Sequence, residues 1–105
     1  MKVMISQPMA GKTTEQVLDE RKNIIKLLES QGHAVVDTII LNRPPSDVQE
    51  ALWYLGASLQ KMAECDAVLF MRGWDTARGC RIEHACALEY GLQILSVSDL
   101  LPKHS

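Results

Sequence analysis

The segment Asp66-Ala67-Val68-Leu69-Phe70-Met71 sets five apolar residues in a row behind a single acid. A run of strand length without polar alternation is the pattern of a strand covered on both faces, as in the middle of a parallel sheet. The flanking sequence supplies what such a strand needs. Lys2 to Ser6 is a short stretch rich in β-formers, ended by Gln7-Pro8-Met9-Ala10-Gly11-Lys12. His33 to Val36, continuing toward Ile40, has the β-branched density of another strand, and Gln93 to Val97 reads as a last one.

Helical patterns fill the intervals. Thr13 with Gln16 offers a capping box, followed by Val17, Leu18, Ile24, Ile25, Leu27 and Leu28 up to Gly32. After the break at Asn42-Arg43-Pro44-Pro45, Ser46 with Gln49 predicts the start of a second helix, whose apolar stripe runs from Ala51 to Ala63. A third helix is predicted after Gly79, with Glu83 in its first turn, ending near Gly91. The tail from Pro102 to Ser105 is expected to fray. Strand and helix alternate with connections too long for hairpins, which predicts a parallel α/β sheet with helices on both faces.

The 105 residues suffice for one domain, 1–105, without repeats or low-complexity linkers. Apolar residues at 47% and charged residues at 23% match a globular protein, and the first residues never build the apolar core of a secretory signal. No apolar run approaches the roughly 20 residues of a membrane span, so no membrane partner is expected and the predicted location is the cytoplasm. A net charge of −2 with scattered basic residues argues against duplex nucleic acid. Cys65, Cys80 and Cys86 are predicted to be free thiols. Cys80 and His84, four apart, share a helix face in that reading, but only distant His33, Cys65 or His104 remain to complete a metal site, so no metal is predicted.

In a parallel α/β sheet ligands gather outside the carboxyl ends of the strands. The loop Gln7 to Lys12 and the loop Arg72 to Gly79 arrive there, and backbone amides near Ala10 and Gly11 are expected to face an anion or a sugar hydroxyl. Gly11-Lys12-Thr13 suggests a P-loop, but the pattern needs a glycine where this chain has Ser6.

The Ser6-Gln7-Pro8-Met9-Ala10-Gly11 loop, Cys65-Asp66-Ala67-Val68 opening the central strand, Gly73-Trp74, Gly79 and Glu83 together resemble the nucleoside 2-deoxyribosyltransferase-like superfamily. Specifically, the chain resembles a short branch found in phage and bacterial genomes, whose loop reads Gly-Trp-x-x-Ser-x-Gly-Ala-x-x-Glu. The resemblance implies a small flavodoxin-like or Rossmann-like parallel sheet of four to five strands. It also implies cleavage of an N-glycosidic bond, as hydrolase or deoxyribosyl transferase, on a nucleoside or nucleoside 5′-monophosphate. Glu83 falls on the family's nucleophile and Asp66 on an acid that protonates or orients the leaving base. Gln7, Pro8, Met9, Gly11, Lys12, Trp74, Asp75, Arg78 and Gly79 are the implied substrate contacts. No cofactor is implied, since the nucleophile is a side chain and the base leaves by protonation. Homodimers or larger homo-oligomers are expected.

Two departures stand out. Ala77 replaces the family's Asp or Ser six residues before the nucleophile, and Val3, Met4 and Ile5 hold no counterpart of its first-strand tyrosine, for which Asp75 or Arg78 is the expected substitute. Simpler readings stand beside the catalytic ones. Glu83 in a first turn complements a helix dipole, which also holds its pKa down, and Asp66 simply begins a strand. Trp74 and Trp53 serve equally as core, interface or stacking residues, Met9 as packing, and His84 as helix surface. A catalytically silent nucleotide-binding module, or a phosphate-sugar or cyclic-nucleotide sensor, would use the same pocket.

Overall fold

Alternate residues of a strand point to opposite faces of its sheet, and here both sets are apolar. In the computed structural model, which describes residues 1–37 and 43–101, the strands are β1 (Lys2–Ser6), β2 (Ala34–Val36), β3 (Ala67–Phe70) and β4 (Gln93–Ser96). They form one parallel sheet in the order β2-β1-β3-β4. The register runs Val3 opposite Ala67 to Ser6 opposite Phe70, and Ala67 opposite Gln93 to Phe70 opposite Ser96.

The helices are α1 (Thr14–Ser30), α2 (Glu50–Met62), α3 (Arg78–Glu89) and the short α4 (Val97–Leu100). Val3, Ile5, Ala67 and Leu69 pack against Ile24 and Leu28 of α1 and Leu100 of α4. Met4, Val68 and Phe70 turn the other way, onto Met62 of α2 and Ala87 of α3. The expected α/β architecture with helices on both faces is therefore present, with β3 buried along its whole length.

The Thr13–Gln16 capping box opens α1 as expected. Elsewhere element ends differ from the sequence reading. Helix α2 begins at Glu50, and its cap is Gln49, whose side chain accepts from the Leu52 amide at 2.7 Å, so Ser46 caps nothing. Ser96 ends β4 and caps α4 in a box with Asp99, which takes Val97 out of the strand. Helix α3 begins at Arg78, ahead of Gly79. The extension of the second strand to Ile40, the break residue Asn42 and the tail from Pro102 lie outside the described residues.

Among the described residues no helix is long and apolar enough to cross a membrane.

Candidate active site

Helix α1 covers one face on its way from β1 to β2, and α2 covers the other on its way to β3. The carboxyl ends of β1 and β3 are therefore where the chain's winding reverses, the place where open α/β sheets bind ligands. A cleft of about 660 Å³ opens there, within the size range of small-molecule sites. Its walls are Gln7 to Ala10 after β1, Ala77 to Cys80 with Glu83 from α3, and Ala51, Tyr54, Leu55 and Ser58 from α2.

The buried polar side chains described are Ser6, Gln7, Arg21 and Glu83, and all four meet at the end of β1. Strand alternation explains the arrangement. Ser6 shares the face of Met4, toward α3, and its hydroxyl donates to Glu83 Oε1 at 3.0 Å. Gln7 turns to α1, where Nε2 donates to the Val17 carbonyl at 2.9 Å and to Glu20 Oε2 at 3.3 Å, while Oε1 accepts from Arg21 Nη1 at 3.2 Å. No described side-chain oxygen or nitrogen is both sealed from solvent and unpaired, and Glu83, buried as it is, lines the cleft.

Glu83 is the sixth residue of α3, and no acid occupies that helix's first turn. The dipole fades beyond the first turn, so the expected lowering of its pKa does not hold. Burial instead pushes the Glu83 carboxyl up, opposed by the Ser6 hydrogen bond and then by the Arg21 charge. Burial likewise raises the Cys80 thiol, leaving it protonated beside the cleft.

The expected site residues divide. Glu83, Gln7, Pro8, Met9, Arg78 and Gly79 line one cleft. The Gln7 side chain is committed to α1, so it shapes the wall and has little left for a ligand. Asp66 lies at the opposite edge of the sheet, before β3, where its carboxylate accepts from the Lys2 amide at 2.8 Å. Four residues of strand, roughly 13 Å, separate it from the cleft end, too far to protonate a leaving base. Trp74 belongs to a short 3₁₀ turn, Trp74–Thr76, and stacks on His84 at 4.1 Å and 15° while packing on Phe70. It is thus half-buried against the core, with His84 as its stacking partner, and His84 and Cys80, four apart in α3, lie on one side of that helix as expected.

Asp75 is exposed outside the cleft walls. Lys12 also stands outside them, paired with Glu20 at 2.9 Å. Gly11, at φ +78°, serves the turn in which the Lys12 amide donates to the Met9 carbonyl, the left-handed position that turn chemistry reserves for glycine.

Sequence reasoning missed Ser6, Arg21, Tyr54 and Ser58. Ser6, and neither Asp75 nor Arg78, makes the hydrogen bond to Glu83. Arg21 did leave a signal: the buried stripe of α1 is Val17, Arg21, Ile24 and Leu28, with a cation among apolar residues.

Fold and site define a doubly wound parallel α/β domain with a carboxylate-floored cleft at its switch point. The chain belongs to a family described as a domain of unknown function, DUF4406, whose profile matches residues 1–96 and so spans all four strands and the whole cleft. A comparison with curated proteins found no match.

Proposed function

We propose that this cleft cleaves the N-glycosidic bond of a nucleoside or nucleoside 5′-monophosphate, with Glu83 as nucleophile. The observation that carries the reading is the buried Glu83 carboxyl, held by Ser6 at one oxygen and lining a cleft of small-molecule size.

In the first step the free Glu83 oxygen attacks C1′. The C1′–N bond breaks, its electron pair goes to the base, and the base takes a proton from solvent. A glycosyl ester remains. Water then attacks C1′ from the opposite face, loses a proton, and returns the carboxylate, so that configuration is retained over two displacements. An acceptor base in place of water makes the same cycle a transfer. Ser6 fixes the direction of the carboxylate and favours its ionised form. Arg78 is the cationic side chain on the cleft wall and suits a 5′-phosphate, and Tyr54 offers an aromatic face to a base.

A second reading is a nucleotide-binding module without catalysis. It is favoured by one observation: Glu83 is the sole carboxylate among the described residues lining the cleft, whereas retaining glycosidases employ two. Self-association belongs to either reading, and is supported by Leu52 on α2 and Leu88 on α3, 64% and 60% exposed, and by a separate apolar groove that Leu59, Met62, Cys86 and Leu92 line.

The test is a panel of ribo- and deoxyribo-nucleosides and their 5′-monophosphates, incubated with and without an acceptor base, with free base followed by chromatography. Base release is expected from the wild type and not from Glu83→Ala. Binding without release in the wild type would replace the enzyme by the module.

A further inference from the structure

Of the four buried polar residues among those described, Arg21 has no part in the chemistry above, although it is 2% exposed and sits on α1, across the sheet from the cleft. A guanidinium in an apolar stripe carries a desolvation cost, and its rigid fork of donors suits fixed geometry better than a lysine would. Arg21 Nη1 holds Gln7 Oε1, and the Gln7 amide is held again by the Val17 carbonyl and Glu20. The residue before Gln7 is Ser6, which orients Glu83. The residues after it, Pro8 to Ala10, are the cleft wall.

We propose that Arg21 is a positioning residue for Glu83: through Gln7 it fixes the end of β1, and it sets a buried positive charge across that strand from the carboxylate. The ionisable and polar groups around Glu83 are Ser6 from β1, Arg21 from α1, Cys80 and Arg78 from α3, and Tyr54 from α2. Those around Arg21 are Gln7, Glu83 and Asp37, with Lys22, Lys26 and Glu29 along the outer groove of α1. Arg78 is exposed and screened by solvent, while Arg21 is sealed, so its charge acts on Glu83 with less screening. Asp37 and then Glu83 in turn favour the charged form of Arg21 against its burial.

The inference concerns the state of Glu83, not the bond it cleaves, so it is tested without turnover. Protein labelled with ¹³C at glutamate carboxyls is titrated by NMR, with the Glu83 resonance assigned by its loss in Glu83→Gln. Arg21→Met is expected to move the Glu83 midpoint upward, and Arg21→Lys to restore it partway. Gln7→Leu is expected to displace the amide resonances of Ser6, Met9 and Ala10 and to shift the same midpoint. Should Arg21→Met fail to fold, Arg21→Lys and Gln7→Leu decide: an upward shift in either supports the proposal. A Glu83 midpoint equal to that of the wild type in every folded variant overturns it. Base release with an unshifted midpoint would remove this inference alone, and a shifted midpoint without base release would remove the glycosidic reading alone.

Discussion

Glu83 is pulled two ways: burial disfavours its charge, while Ser6 and Arg21 favour it, and burial prevails. A carboxyl whose pKa is raised above its ordinary 4.5 binds more protons folded than unfolded, so its contribution to stability falls as pH rises through that window. Glu83→Gln removes this term. Thermal melts are expected to show the variant gaining on the wild type between about pH 3, where the acid is neutral in both states, and about pH 7.5. A difference that is constant with pH would contradict the raised pKa. Ser6→Ala removes a hydrogen bond to a charged group, and base release is expected to fall roughly ten- to a hundredfold. An unchanged rate would show that Glu83 needs no orienter. Glu83 was marked in the sequence by the motif resemblance that includes it, but its partner was not: a serine closing a strand carries no mark of the helix that will face it.

The elements follow from local physics to differing degrees. The Thr13–Gln16 box and the apolar stripe of α1 act within a few residues, and both are present as read. The start of α2 is different, because Ser46 and Gln49 each satisfy a local rule and only the finished backbone selects between them. Gln49→Ala is therefore expected to cost about 1 kcal/mol in urea denaturation. Ser46→Ala should stay within about 0.5 kcal/mol. A reversed ranking would return the cap to Ser46. Leu28, fully buried between α1 and the sheet, sets the scale of core packing: Leu28→Ala should cost about 2–5 kcal/mol in the same assay. The two-residue shift in the start of α3 has a larger consequence, since it moves Glu83 out of the first turn and exchanges dipole stabilisation for burial.

At the scale of the molecule, the order β2-β1-β3-β4 brings Ser6 and Glu83 together although 77 residues separate them in sequence. The same winding sends Asp66 to the far edge, because the start and the end of one parallel strand lie on opposite sides of the sheet. It also leaves α2 with Met62 as its buried residue despite a largely apolar composition. Light scattering on the eluting protein is expected to give a dimer or larger. Leu52→Glu combined with Leu88→Glu should reduce it to a monomer with unchanged circular dichroism. A monomeric wild type at high concentration would end the self-association reading.

Hydrophobic periodicity, strand length and turn residues are local properties, and by themselves they determined the parallel α/β class, the order of elements and the ends of the chain's strands where a ligand would bind. The contents of the site were another matter. Trp74 is drawn against the core by His84 and Phe70, Lys12 is taken by Glu20, and Gln7 by α1. Arg21, from a helix on the far face, is joined through Gln7 to the end of the strand whose Ser6 bonds Glu83. Each of these depends on which side chains meet across the sheet. Such pairings are long-range and compete with one another, so only the tertiary structure decides them.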